Sequence, residues 1–422
     1  MTTGQPPTRL ARRLGLTDAV VIGLGSMIGA GVFAAMAPAA QAAAAGMLLG
    51  LVIAAVVAFC NAVSSAQLAV LYPASGGTYV YARERLGHFF GYLAGFGFVV
   101  GKLASLSAMA LTFGFYVAPS VARPLGIAAV VALTAVNYVG VEKTARLTRL
   151  LVALVVGTLV FVVASTLVAG APSSHDLTPL WTGSGVRGIL ASAGFLFFAF
   201  AGYARIATLG EEVRDPGRTI GRAIPLALGI TVAVYAAVAV AALAVLGPQK
   251  LAASKAPLAA AVTEAGLGQW VIVVRLGAAV ASLGVLLSLL AGVSRTTFAM
   301  AAGGDLPRRL AAVHPRYRVP HVAELVIAAV VVTVVALADL RSTIGFSSVT
   351  VLVYYAITNA SALTLPAEER RWPRGLAVLG LIGCVALAVS LPVDTVGVGV
   401  GLLGGGAALY AARHLIRSRS SR

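Results

Sequence analysis

Residues 22–33 read IGLGSMIGAGVF, with four glycines (Gly23, Gly25, Gly29 and Gly31) in a stretch otherwise apolar enough to lie inside a bilayer. No Lys or Arg occurs between Arg13 and Arg83, and Asp18 is the only acid in that interval. Lipid is therefore the expected solvent for this stretch. Two readings of the glycines compete. They can mark a membrane helix built to be interrupted, or Gly25-x-x-x-Gly29 can be an ordinary packing motif that lets a neighbouring helix approach. A soluble dinucleotide loop does not fit, because it needs G-x-G-x-x-G between a strand and a helix, and here three residues separate Gly25 from Gly29.

Working outward, the whole chain has the same character. Of its 422 residues 59% are hydrophobic and only 11% charged, and its mean hydropathy is +0.95, which leaves too little polar surface for a water-soluble globule. The fold class expected is an all-α membrane protein with twelve transmembrane helices. Apolar stretches able to cross about 30 Å of hydrocarbon lie near residues 17–44, 46–71, 89–118, 124–141, 147–170, 187–207, 221–246, 271–300, 322–338, 342–365, 375–391 and 394–412. The apolar run after Arg13 is too long for a cleavable leader and lacks a cleavage site. Cys60 and Cys384 both fall within these stretches, so no disulfide is expected.

Charge placement tests the count, because cytoplasmic loops of membrane proteins are enriched in Lys and Arg. With the amino terminus inside and the spans alternating, 24 of the 31 basic residues fall on the cytoplasmic side, six fall outside (Arg123, Arg187, Lys250, Lys255, Arg275 and Arg341), and Lys102 lies within a span. Both termini are thus expected in the cytoplasm of a multi-pass inner-membrane protein. The net charge of +17 then faces anionic lipid headgroups. A nucleic-acid partner is not expected, since the charges are spread over separate loops and tails.

The chemistry of enzymes is hard to find. His88, His175, His314, His321 and His414 are dispersed, without metal-ligand spacing. Glu211 and Glu212 sit in a charged loop, Glu211 to Arg222, that reads as solvated and salt-bridged rather than as an acid-base pair. No nucleophile elbow or phosphate loop occurs, so neither enzyme activity, cofactor nor metal is expected. A channel is the alternative class, but the chain has neither a filter sequence nor an acidic pore lining.

Carriers built from inverted repeats place two interrupted helices at corresponding positions of their halves, with the substrate at the midplane. The sixth stretch supplies a second interruption. Residues 194–204 read GFLFFAFAGYA, and Phe198-Ala199-Phe200-Ala201-Gly202 occupies the place in stretches six to ten that Gly25–Gly31 occupies in one to five. Taken alone, that segment is equally an aromatic-rich helix packed in a core.

Three segments carry a resemblance. GLGSMIGAGVF resembles the first-helix signature of the amino acid, polyamine and organocation (APC) permease superfamily. FLFFAFAGYARIATLGEEVRDPGRTIGRAIP resembles that family's sixth helix and following loop, and GVSRTTFAMAAGGDLPRRLAAVHPRYRVPHVAE the end of its eighth helix and the loop into the ninth. The chain is identified as a member, a bacterial amino acid permease. The matches cover residues 17 to about 365. The last two helices match only in hydropathy.

The resemblance implies a five-plus-five inverted repeat with broken helices one and six. The implied organisation is a tail (1–16), a first five-helix repeat (17–170), a second, inverted one (187–365), two peripheral helices (375–412) and a basic tail (413–422). It also implies that an unwound segment binds a zwitterion with its backbone, amides at the positive start of a half-helix taking the carboxylate and carbonyls taking the ammonium. On this basis the substrate site comprises Ser26, Met27, Ile28, Gly29, Ala30, Gly31, Phe198, Ala199, Phe200, Ala201 and Tyr203. Gly29, Ala30 and Gly31 offer amides, Met27, Phe198, Ala199 and Ala201 offer carbonyls, and Phe198, Phe200 and Tyr203 line or gate the pocket, with one of these three facing a neighbouring helix instead.

The function implied is secondary active transport of an amino acid, coupled to protons or working by exchange. All 14 acids lie near span ends or in loops, which favours neutral substrates. Several relatives carry an acid just after the Gly-aromatic pair of helix six, where this chain has Ala204 and Arg205. The departure weakens, without removing, a cationic amino acid or polyamine specificity. Proton-coupled relatives use a helix-five Lys, and aligning NYVGVEKTARLTRLLVALV puts Val155 there. Lys102, the one charge deep in a span, is the substitute candidate for coupling, the competing reading being a lysine held for packing. Heavy use of Arg over Lys, 27 to 4, fits a bacterium with a GC-rich genome.

Overall fold

Why this chain folds as it does follows from its solvent. A backbone surrounded by hydrocarbon must bond to itself, and the helix does this within one segment. A computed structural model describes residues 15–72, 76–140, 145–169, 177–181, 185–203, 206, 213 and 215–420. Ala204, Arg205, Glu211, Glu212 and His175 lie outside the described residues, as does the amino-terminal tail through residue 14.

The helices are α1 (Leu16–Met27), α2 (Ala30–Ala43), α3 (Met47–Leu71), α4 (Thr78–Leu86), α5 (His88–Val117), α6 (Ala122–Tyr138), α7 (Ala145–Val168), α8 (Gly185–Phe200), α9 (Pro216–Ala253), α10 (Pro257–Glu264), α11 (Val271–Ala302), α12 (His321–Leu337), α13 (Leu340–Leu363), α14 (Arg374–Ser390) and α15 (Val393–Ser420). Among the described residues, eight helical runs are long and apolar enough to cross a membrane, and four apolar helices, α1, α8, α12 and α14, are shorter. Two of those four end at the expected interruptions. Twelve residues of α1 climb only about 18 Å, too little to span hydrocarbon unaided.

Helix α5 is the central post, with α13 and α11 packed along it, while α2 and α3 lie against α8. Small residues permit this closeness. A Cβ on Gly101 would fall 2.2 Å from Thr350 Oγ1, and one on Gly114 would fall 2.0 Å from the Ala122 carbonyl.

The bundle has two unlike ends. At the end that carries Arg413, the Tyr79 hydroxyl of α4 donates to Asp305 Oδ2 (2.8 Å), and Arg413 Nη1 donates to the Asp305 carbonyl (2.8 Å). His88 Nε2 lies 3.7 Å from Asp305 Oδ1, and its Nδ1 meets the Tyr410 hydroxyl at 3.1 Å. Burial, together with the Asp305 carboxylate that it bonds, pushes the Tyr79 phenol up to about 12, so it remains a donor at physiological pH. Four chain segments are tied by this one buried acid. The opposite end holds a cavity of about 470 Å³ between α2, α5, α9 and the α12–α13 turn.

Candidate functional site

The first interruption falls within the opening stretch. Helix α1 ends at Met27, Ile28 takes φ −77° and ψ 70°, Gly29 takes φ −128° and ψ −148°, and α2 begins at Ala30. The Ile28 amide closes the last turn on the Leu24 carbonyl (2.6 Å), and the Gly29 amide donates to the Met27 carbonyl (2.8 Å). The amides of Ala30 and Gly31 open α2 with no carbonyl one turn behind them, at the positive end of its dipole.

The second interruption ends α8 at Phe200 and turns through Ala201, Gly202 and Tyr203. The Tyr203 amide bonds the Phe200 carbonyl at 3.3 Å.

Their proximity decides what the pair can do. A Cβ on Gly202 would lie 1.9 Å from the Ser26 carbonyl oxygen and 2.8 Å from the Met27 nitrogen, and one on Gly31 would lie 2.7 Å from the Ala199 Cα. The two interruptions touch backbone to backbone, and only glycine fits at either contact. The remaining glycines meet other partners: Gly23 faces Ile206, Gly25 faces Val152 of α7, and Gly29 faces Val285 of α11. Gly25 and Gly29 thus address two helices, not one common stripe.

Side chains brace the contact. The Tyr235 hydroxyl of α9 reaches both the Met27 carbonyl (2.5 Å) and the Ala199 carbonyl (3.1 Å), and the Tyr355 hydroxyl of α13 donates to the Ala201 carbonyl (3.3 Å). The expected acceptors Met27, Ala199 and Ala201 are therefore already addressed by tyrosines. Phe200 is fully buried with its ring 5.1 Å from that of Tyr235, so it faces a neighbouring helix. Tyr203 is also buried, its ring 5.0 Å from that of Tyr355. Phe198 is half-buried, and Ser26 Oγ bonds back to the Ile22 carbonyl (2.9 Å). Tyr235 and Tyr355 were not expected. The available signal was a tyrosine hydroxyl inside an apolar span, which has to find a partner there.

Lys102 lies in mid-α5, 9% exposed, its ammonium 5.9 Å from the Phe98 ring centre. The Phe98 ring in turn lies 5.4 Å from that of Tyr354 on α13. Val155 is buried in the apolar core.

A helix break set against the closing turn of a second apolar helix, inside a bundle of apolar helices, is an arrangement that membrane carriers use. The family model described as amino acid permease matches residues 14–401, and the chain belongs to that family. An uncharacterized transporter of Mycobacterium tuberculosis is 63% identical over 414 residues, covering 98% of this chain and 94% of the relative. The branched-chain amino acid permease of Bacillus subtilis is 24% identical, covering 90% and 86%. The human cationic amino acid transporter 4 is 26% identical, covering 87% and 61%. The chain is accordingly a multi-pass membrane transporter of a small molecule.

Proposed function

We propose that the chain carries a neutral, zwitterionic amino acid across the cytoplasmic membrane of a bacterium by alternating access. The observation that supports this most is the close approach of Gly31 to the Ala199 backbone, next to that of Gly202 to Ser26–Met27, because it sets the start of α2 beside the closing turn of α8. Of the expected amides Gly29, Ala30 and Gly31, that of Gly29 already bonds Met27, so the carboxylate is taken by Ala30 and Gly31, and the ammonium by the carbonyls of Met27, Phe198, Ala199 and Ala201, with the Phe198 side chain beside it. No charged side chain is required for a zwitterion. In this reading α1 and α2 form one interrupted span. The twelve spans place both termini in the cytoplasm, with inverted repeats over 17–170 and 187–365 and a peripheral pair over 375–412.

Coupling is assigned to protons through Lys102. An ammonium without an ion pair among the described residues is costly inside a membrane, by about 3 kcal/mol or more at a helix centre, which is the cost a coupling residue would justify.

Proteoliposomes holding the purified protein are expected to take up neutral amino acids in preference to arginine or putrescine, driven by an inward proton gradient. Lys102→Met is expected to leave exchange intact and abolish the response to the gradient. Uptake of arginine or putrescine without competition by neutral amino acids would establish the cationic reading instead, and a Lys102→Met variant with unchanged pH dependence would remove the coupling role.

A further inference from the structure

The cavity at the end of the bundle away from Arg413 has an unequal charge. Three cations line it, Arg123, Lys255 and Arg341, against one acid, Asp339. That acid is already committed. Asp339 caps α13, its carboxylate accepting from the Ser342 amide (3.0 Å) and hydroxyl (2.6 Å). Partial burial acts to raise its pKa, but these bonds and those from the backbone outweigh it and hold the carboxyl below its usual range.

The cations are not neutralised. Arg123 donates to the Val335 and Ala336 carbonyls that end α12, which satisfies its guanidinium without cancelling its charge. Lys255 sits 5.2 Å from the Phe115 ring centre, and nearby Lys250 takes Glu264 at 2.7 Å. Arg341 lies 5.5 Å from the Phe195 ring centre, and its Nε is buried without a hydrogen-bond partner among the described residues. None of the three lining cations makes an ion pair among those residues.

The cavity also comes close to the start of α2. Its wall includes Ala34, one helical turn, or about 6 Å, from the opening amides of α2. The Phe195 ring beneath Arg341 belongs to α8, one turn before Ala199. Apolar walls concentrate the field of such a cluster and raise the local concentration of the opposite charge, with effects on association of about tenfold or more.

We propose that this vestibule is an outer carboxylate station, in which Arg341 and Lys255 receive the carboxylate of an arriving amino acid before it descends to the α2 amides, and which turns away molecules of net positive charge. It rests on the reading that the chain carries amino acids. It adds a second place of contact and a reason for selectivity that lies outside the inner site.

The experiment measures initial uptake of radiolabelled L-leucine, L-alanine, L-serine and L-glutamate into proteoliposomes at low and high ionic strength, for the wild type, Arg341→Gln and Lys255→Gln. For the amino acids that the wild type takes up, each variant is expected to raise KM about fivefold at low salt with Vmax unchanged. The difference should vanish near 0.5 M KCl, where charges are screened within about 4 Å. Arg341→Glu is expected to strengthen competition by L-arginine.

Equal KM values for the wild type and both glutamine variants at low salt would overturn the station. So would a rise in KM that persists unchanged in high salt with a lowered Tm, since that is the signature of lost packing on Phe195. Lys255 is exposed, so its variant reports even where Arg341→Gln folds poorly. Wild-type uptake alone decides whether these amino acids are carried, and its absence for all four would overturn the neutral amino acid reading and the station with it. The ratio of variant to wild-type KM decides the station by itself.

Discussion

Gly202 is the residue on which the contact between the helix breaks depends most. A single methyl group there would lie 1.9 Å from the Ser26 carbonyl oxygen, far inside van der Waals contact, and backbone on both sides leaves no flexible atom to yield. Overpacking of this kind costs about 2 kcal/mol even where side chains can move aside. Gly202→Ala is therefore expected to abolish uptake and lower Tm in detergent, whereas Gly221→Ala, where an added Cβ meets nothing within 4 Å, should be silent in both. Equal transport by Gly202→Ala and the wild type would mean that the two breaks are not held in contact in the working protein. Gly31 faces the same difficulty against Ala199, so a bulky residue at Gly31 removes a packing contact as well as obstructing the α2 amides. Transport and Tm must be read together at that position.

Among the elements, the ends of α4, α5, α11 and α15 converge on Asp305. Removing its carboxylate withdraws the acceptor of the Tyr79 hydroxyl and the partner of His88, and a hydrogen bond to a charged, buried group contributes about 2 kcal/mol. Asp305→Ala is expected to lower Tm by several degrees while KM for the transported substrate stays the same. An unchanged Tm would show that the four segments hold together without it. Much of this element layout is legible in the sequence, because a long apolar run in lipid has one backbone solution. The break between α1 and α2 is legible too, from Gly25–Gly31, and so is the end of α8, from Phe198–Gly202. Helices α4 and α10 are not, since each is a short segment between spans that takes its order from the helices it lies on. The long helix of α9 breaks at Gly247 (φ 67°, ψ 163°), next to the expected limit near 246, and a short helical piece opened by Pro248 follows to Ala253, the positive φ being one that glycine adopts without strain. The brace at Tyr235 is invisible in sequence for a different reason. Its two acceptors lie 208 and 36 residues away, and no local period records such a meeting.

For the whole molecule, charge and shape agree. The net +17 is drawn mostly from one side of the bundle in the twelve-span reading, while the vestibule side has few cations, and these are gathered around one opening. Cys60 and Cys384 are both buried, so engineered thiols report topology against a low background. Lys255→Cys is expected to react with a membrane-impermeant maleimide in intact cells, and Arg370→Cys only after the membrane is opened. Labelling of both in intact cells would refute the arrangement of spans. The contact of Gly202 with Ser26 and Met27 has a mechanical meaning at this scale. Where three helix ends meet with no side chain between them, no bearing surface is left to slide, and a shift of one end is handed directly to the others. The ends of α1, α2 and α8 therefore do not count as separate moving parts. They form a single joint, so a substitution that displaces one of them is expected to displace all three.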